Sequence, residues 1–194
     1  PMLACWFFAP ALTWWLSLPL RRRPARLRPE ETTFLRKLAR RTWGFFETFV
    51  TAEDHWLPPD NFQEHPLPVL AHRTSPTNMG LSLLSNLSAY DFGYISAGRL
   101  LERTANSLTT MSEMERYRGH FFNWYDTLTL RPLPPSYVSS VDSGNLSGHL
   151  LTLAPGLREL ADRSILGSRA IEGLSDTLGI LIDVTGEEES AEMS

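Results

Sequence analysis

The sequence lacks the residues and motifs on which several common classes of protein depend. Its single cysteine, Cys5, excludes an internal disulfide framework. It contains no glycine-rich phosphate loop and no HExxH motif. Its histidines His65, His72, His120 and His149 are not spaced as metal ligands are. The segment Gly144–Gly148 resembles a hydrolase G-x-S-x-G motif, but its serine comes one position too late. We therefore expect neither a metal nor a cofactor in this region.

Charge is unevenly distributed along the chain, which carries a net charge of −4. Residues 1–41 hold nine Arg and Lys against two acids, whereas the remainder holds nine against twenty. The acidic remainder would repel phosphate, so we expect no nucleic-acid partner. An arginine cluster directly follows the apolar run Met2–Leu20: Arg21, Arg22, Arg23, Arg26 and Arg28. This order is typical of the cytoplasmic end of a membrane helix.

The apolar run is close to the roughly 20 residues that a membrane span needs. Its tryptophans, Trp6, Trp14 and Trp15, suit interfacial positions, although Pro10 and Pro19 interrupt the run. A signal peptide fits less well, because its charges should precede the apolar part. We expect residues 1–20 to be the end of a transmembrane or membrane-proximal helix and residues 21–29 to be a basic linker. An apolar helix packed on its own domain remains an alternative.

The rest of the chain alternates between helical patterns and long polar loops. Apolar residues at helical spacing predict helices over about 30–52, 75–90, 96–116, 142–153 and 168–182. Ser75 and Pro76 are typical of a helix start, and Asp142 with Ser143 is expected to cap the fourth of these helices. Pro155 and Gly156 should end or kink it. Residues 187–194 read as a frayed acidic end.

No convincing alternating strand pattern is present, so we expect an all-α fold. Helices alternating with long loops suggest the hairpins of an α/α barrel of the six-hairpin type. Only four or five helices are predicted, fewer than the twelve of a closed barrel. Residues 30–186 are therefore expected to form the N-terminal part of such a domain.

The loop Gly119–Asn145 combines flat aromatic rings with short polar side chains and turn residues. This mixture suits a carbohydrate, because sugar C–H faces stack on Trp and Tyr while Asp and Asn hold hydroxyl groups. An aromatic core loop is the alternative, since buried Tyr and Trp also need polar partners.

Candidate site residues lie in loops or at helix starts, where side chains can converge at one mouth of a helical barrel. Trp56, Trp124 and Tyr125 are candidate sugar platforms. The candidate hydroxyl-binding residues are Arg73, Asn78, His120, Asn123, Asp126, Asp142 and Asn145. Glycoside chemistry needs two carboxylates at a fixed separation. Asp126 and Asp142 are catalytic candidates, with a turn-former as the alternative for the first and a helix cap for the second.

Several linked motifs resemble the bacterial cyclic β-1,2-glucan synthases over roughly residues 40–153. They are RRTWGFFETFVTAEDHWLPPDNFQEHP, HRTSPTNMGL, YDFGY and RTANSLTTMSEMERYRGHFFNWYDTLTLRPLPPSYVSSVDSGNLSGHL. The family usually has tyrosine where this chain has Phe122, and the residues after about Ala161 depart from the family pattern.

The resemblance implies a very large inner-membrane enzyme that polymerises glucose from UDP-glucose, cyclises the chain and trims it. The matched region is similar to its glucoamylase-like α/α domain, which is related to β-1,2-glucanases and implicated in cyclisation by transglycosylation. The implied partners are a β-1,2-glucan chain, the remaining domains of the same polypeptide, and the membrane, with the α/α domain on the cytoplasmic side. The family's catalytic glutamates are expected beyond this chain. A tethered glucan-binding domain without catalysis and a structural spacer remain alternatives.

Overall fold

A computed structural model describes residues 2–18, 26–162 and 167–192, and these are mostly helical. The helices are α1 (Met2–Leu16), α2 (Pro29–Phe49), α3 (Pro76–Asp91), α4 (Ala97–Glu113), α5 (Ser140–Glu159) and α6 (Ser168–Glu192), with a 3₁₀ turn over Leu160–Asp162. The strands are β1 (Phe62–Gln63), β2 (Val69–Leu70), β3 (Arg73–Thr74), β4 (Arg116–Tyr117), β5 (His120–Phe121) and β6 (Tyr125–Asp126). The chain divides into two compact units, Pro1–Thr32 and Thr33–Ser194.

The first unit contains α1, a 15-residue apolar helix with Pro10 inside it. None of the described helices combines the length and the apolar character needed to cross a membrane. The tryptophans of α1 are largely exposed. Arg21, Arg22 and Arg23 lie outside the described residues, as does most of the expected basic linker.

The α2 helix begins at Pro29, close to the expected position. The Arg28 backbone N–H donates to Glu31 Oε2 at 2.8 Å, which satisfies one of the donors that a helix start leaves free. The hydrogen bond from the Arg28 backbone, followed by that from its side chain, lowers the pKa of Glu31.

The core of the second unit lies between α3, α4, α5 and the loops that join them. The main buried hydrophobic cluster there consists of Leu57, Met79, Leu83, Met111, Met114, Tyr125, Leu146 and Leu153. Two glycines allow α3 and α5 to approach closely. A Cβ on Gly80 would collide with the His149 ring, and a Cβ on Gly156 would collide with the Leu87 side chain.

Serine caps fix where three helices begin. The Ser75 side chain accepts from the Asn78 backbone N–H with Pro76 in the first turn, which confirms the expected start of α3. Ser96 caps α4 in the same way. The expectation that Asp142 and Ser143 cap the fourth helix is wrong. Ser139 is the cap, and its side chain accepts from the Asp142 backbone N–H at 3.1 Å.

The α5 helix does not end at Pro155 but continues to Glu159. Proline removes one intrahelical hydrogen bond, but packing of the flanking residues on α3 compensates. Leu153 is buried and Gly156 lies against Leu87.

The fold also contains three short antiparallel ribbons, so the expectation of a purely helical fold is only partly correct. They pair β1 with β2, β3 with β6, and β4 with β5. Each strand has two residues, so no alternating pattern could appear in the sequence.

The α6 helix contacts α2 through charged side chains and extends beyond the predicted end at Ile182, to Glu192. Arg36 Nε donates to Asp176 Oδ1 at 2.9 Å, and Lys37 Nζ contacts Asp183 Oδ2 at 2.8 Å. The Tyr94 hydroxyl lies 3.2 Å from Asp176 Oδ2. Burial, followed by the charge of Asp176, raises the pKa of Tyr94 to about 12.

Candidate functional site

The β3–β6 ribbon brings together two loops that are far apart in the sequence. Its register places Arg73 opposite Asp126 and Thr74 opposite Tyr125. The loop before α3 and the aromatic loop after α4 therefore meet at the start of α3. This juxtaposition could not be read from the sequence, although both loops were expected to carry site residues.

Arg73 is the centre of the first part of this site. Its Nη2 donates to Asp60 Oδ2 at 2.8 Å, and its guanidinium carbon lies 5.0 Å from the centroid of the Trp124 ring. The Asn78 side-chain amide reaches Asp60 Oδ1 at 3.4 Å. A flat indole thus lies beside an ion pair and an amide. The side chain of Arg73 remains 51% exposed.

The second part of the site joins the first turns of α3 and α5. The Thr77 hydroxyl donates to Asp142 Oδ1 at 2.6 Å and accepts from the Asn145 side-chain amide at 3.1 Å. Asp142 occupies the first turn of α5. The positive ends of two helix dipoles therefore favour a negative charge at this point.

A hollow of about 250 Å³ adjoins this second part. Its lining includes the chain neighbours of Thr77 and Asp142, namely Pro76 and Ser143, together with His120, Phe121 and Ser147. His120 lies at the end of the β4–β5 hairpin, whose turn passes through Arg118 and Gly119 at positive φ. The structure thus gathers Arg73, Trp124, Asn78, His120, Asp142 and Asn145 around the beginnings of α3 and α5.

Tyr125 is a correction to the sequence analysis, because its ring is fully buried and offers no platform to a sugar. Its hydroxyl donates to the Glu115 carbonyl at 2.6 Å and accepts from the Phe122 backbone N–H at 2.8 Å. Burial raises the pKa of Tyr125. The core interpretation of the aromatic loop therefore holds for this residue.

Asn123 is also buried, at 4% exposure, and its expected contact with a sugar hydroxyl stays a prediction. Its Oδ1 accepts from the Tyr137 backbone N–H at 3.3 Å, and its own backbone N–H donates to the Tyr137 carbonyl at 2.8 Å. Asn123 thus holds the aromatic loop closed on itself.

Asp126 forms a turn within its own loop. Its Oδ1 accepts from the backbone N–H groups of Leu128 and Thr129 and from the Thr129 hydroxyl. Burial would raise the pKa of Asp126, but the hydrogen bonds from Thr129 and Leu128 hold it below its ordinary value. An ionised carboxylate committed to three donors is poorly suited to donate a proton as a general acid.

Trp56 lies against α4, where Arg99 and Arg103 each place a guanidinium carbon 5.8 Å from its ring centroid. Its backbone has a positive φ of 62°, as does that of His55 at 53°. The contacts described for Trp56 are therefore separate from those of Arg73 and Trp124.

A polar network centred on the buried Asp54 was not predicted from the sequence. Asp54 is 2% exposed, and its Oδ1 accepts from the Thr127 hydroxyl and contacts His72 Nδ1 at 2.8 Å. His55 Nδ1 lies 2.9 Å from the Thr127 carbonyl, so it is the protonated nitrogen. The only signal in the sequence was that Asp54 and His72 bracket one long loop, which does not indicate that they touch.

Comparison with known proteins supports the resemblance. No protein-family model matches the sequence. Over 189 residues, 96% of its length, the chain is 46% identical to the cyclic beta-(1,2)-glucan synthase NdvB of Rhizobium meliloti (strain 1021). The chain spans 7% of the length of that protein.

Solved structures with the same fold are glucoamylase-like. Glucoamylase candidates from Bacteroides fragilis NCTC 9343 and Bacteroides caccae ATCC 43185 have TM-scores of 0.52 and 0.53 at 18% and 17% identity. They cover 73% and 66% of this chain, which spans 37% and 36% of theirs.

The endo-beta-1,2-glucanase of Chitinophaga pinensis, solved with sophorotriose and glucose, has a TM-score of 0.51 at 16% identity. It covers 69% of this chain, which spans 36% of the glucanase. At these identities the likeness shows the fold alone. The sequence match shows that this chain belongs to the cyclic β-1,2-glucan synthase family, as the counterpart of a short segment of that protein.

Proposed function

We propose that this chain supplies glucan-contacting side chains to the transglycosylation domain of a membrane-bound cyclic β-1,2-glucan synthase. The identity to NdvB supports this proposal, as does the fold shared with an endo-β-1,2-glucanase. The helices would then form the N-terminal part of a six-hairpin α/α barrel. The N-terminal segment would attach it to the bacterial inner membrane, with the helical domain on the cytoplasmic side.

The observation that carries the proposal is the group of side chains around the starts of α3 and α5. Trp124 offers an indole face beside the guanidinium of Arg73, and Asp142 and Asn145 lie on the neighbouring helix start. Aromatic faces stack on the C–H faces of glucose, and carboxylates and amides hold its hydroxyl groups. Because Arg73 contacts the Trp124 ring, a sugar would use the part of the ring that Arg73 leaves free.

The carboxylates of this site serve binding better than bond cleavage. Asp60 is paired with Arg73, and Asp126 is committed to its own turn. Among the described residues, Asp142 is therefore the carboxylate of this group with the greatest freedom to meet a substrate. We propose that the acid and base of the reaction lie elsewhere in the longer protein.

Replacement of Trp124 by alanine tests the proposal in the longest natural protein that contains this chain. Loss of one stacking surface is expected to lower cyclisation of linear β-1,2-glucan by about 10-fold or more, since aromatic contacts contribute roughly 1 kcal/mol beyond their buried area. Polymerisation from UDP-glucose should be retained. Product analysis by mass spectrometry would separate cyclic from linear glucan.

Phe34→Ala is the matched control, because Phe34 is an exposed aromatic on α2. It should leave cyclisation unchanged. Unchanged cyclic product in Trp124→Ala would contradict the proposal. If the wild-type protein binds glucan without measurable turnover and Trp124→Ala loses that binding, the result would instead support the alternative of a non-catalytic glucan-binding domain.

A further inference from the structure

Thr77 is the hydrogen-bond junction between the first turns of α3 and α5. Its hydroxyl has one proton, and its oxygen contacts both Asp142 Oδ1 at 2.6 Å and the Asn145 amide nitrogen at 3.1 Å. An ionised carboxylate only accepts hydrogen bonds. The proton must therefore go to Asp142, and the Asn145 amide must donate to the Thr77 oxygen. The direction of every hydrogen bond in this chain of three groups is thereby fixed.

Asp142 is not needed to cap its own helix. Ser139 performs that role by accepting the Asp142 backbone N–H at 3.1 Å. The hydrogen bond from Thr77 engages Oδ1 alone. Within the described part of the chain, Oδ2 has no hydrogen-bond partner, and the side chain is only half-buried.

The surroundings of Asp142 suit a neutral ligand with several hydroxyl groups. The hollow of about 250 Å³ is lined by Pro76 and Ser143, the chain neighbours of Thr77 and Asp142, and by Arg116, whose guanidinium donates to the Met111 carbonyl. Two helix starts favour the charge of the carboxylate without an ion pair, so Oδ2 need not be shared with a basic side chain. A hydroxyl that donates to such an oxygen forms a charge-assisted hydrogen bond, which is stronger than a neutral one.

We propose that Thr77 is a positioning residue that orients Asp142 so that its Oδ2 accepts a hydrogen bond from a glucose hydroxyl. The proposal rests on the proposed function, because the ligand is the β-glucan. Thr77 acts through Asp142 and does not itself touch the sugar. Asn145 completes the arrangement by donating to the Thr77 oxygen, which leaves the Thr77 proton free for Asp142 alone.

Kinetics of the longest natural protein that contains this chain would test the proposal, with linear β-1,2-glucan as the probe. Asp142→Asn should raise the KM for cyclisation by roughly 10- to 100-fold, the usual cost of losing a hydrogen bond to a charged group. Thr77→Val keeps the branched shape but removes the hydroxyl, and should raise KM by about 5- to 10-fold through loss of orientation. Thr77→Ser restores the hydroxyl and should recover most of that loss.

The outcomes separate this proposal from the proposed function. If Asp142→Asn raises KM but Thr77→Val does not, Thr77 has no positioning role and the glucan site stands. If Asp142→Asn, Thr77→Val and Trp124→Ala all leave KM unchanged, the proposed function itself is overturned. Equal loss in Thr77→Val and Thr77→Ser would also overturn the positioning role, because the hydroxyl would not be the group that matters.

Loss of polymerisation as well as cyclisation in Thr77→Val would indicate that this variant does not fold. A second variant then tests the same hydrogen bond. Asn145 is exposed, so Asn145→Asp leaves the core intact. Its carboxylate would compete with Asp142 for the single Thr77 proton, and KM is expected to rise by about 5-fold or more. An unchanged KM in Asn145→Asp would overturn the proposal.

Discussion

At the scale of single residues, burial decides which members of the aromatic loop can meet a ligand. Tyr125 and Trp124 are neighbours in the chain, yet Tyr125 is fully buried and Trp124 contacts the half-exposed Arg73. Trp124 directly precedes β6 and Tyr125 is its first residue, so one loop supplies both a core residue and a candidate site residue. The core interpretation of this loop therefore holds for Tyr125, and the sugar-site interpretation stays a prediction for Trp124.

Removal of the Tyr125 hydroxyl separates these two roles. Tyr125→Phe loses a hydrogen bond to the Glu115 carbonyl and leaves the Phe122 backbone N–H without its acceptor. We expect the free energy of unfolding to fall by about 1–3 kcal/mol, measured by urea denaturation, with the affinity for glucan unchanged. Tyr137→Phe is the control, since that side chain is 54% exposed, and it should change neither quantity. A stability equal to wild type in Tyr125→Phe would contradict the assigned role.

The sequence could predict individual residues where the physical rule is local. The cap formed by Ser75 depends on residues within one turn, so it was predictable. The network of buried Asp54 and Thr127 with the more exposed His72 joins three positions that are far apart in the sequence. No local pattern indicates such a contact, and the burial of Tyr125 was hidden because β6 has only two residues.

At the scale of secondary-structure elements, the site depends on the close packing of α3 against α5. Gly80 and Gly156 lie where side chains of the opposite helix leave no room for a Cβ. This packing places the first turn of α3, with Thr77, beside the first turn of α5, with Asp142. It also explains why α5 continues through Pro155, which sequence reasoning treated as a local breaker.

Enlarging Gly80 tests the importance of this packing. Gly80→Ala places a methyl group against the His149 ring and should lower the free energy of unfolding by about 1–3 kcal/mol, the usual cost of overpacking a core. Cyclisation should fall with it, since the two helix starts would separate.

Gly148→Ala on α5 is the matched control, because nothing lies within 4 Å of the position of its added Cβ. It should leave stability unchanged or raise it by up to about 1 kcal/mol, as expected for alanine in a helix. Chemical denaturation followed by circular dichroism measures both variants. Equal effects in the two variants would contradict the close approach at Gly80.

At the scale of the whole molecule, the helix order was predictable but the pairing of loops was not. Apolar periodicity located the helices from α2 onward, and the sequence match to NdvB spans nearly the whole chain. The register that sets Arg73 opposite Asp126 depends on the tertiary arrangement of two distant loops. The carboxylates of the assembled site are engaged in ion pairs, turns or the Thr77 junction, which favours a binding role for this part of the domain.

The most direct test of the glucan-binding site is a crystal structure of the longest natural protein containing this chain, with a linear β-1,2-gluco-oligosaccharide bound. We predict a glucose ring beside Trp124 and a sugar hydroxyl within hydrogen-bond distance of Asp142 Oδ2. Ordered oligosaccharide bound elsewhere in the domain, with Trp124 and Asp142 making no contact to it, would contradict the account.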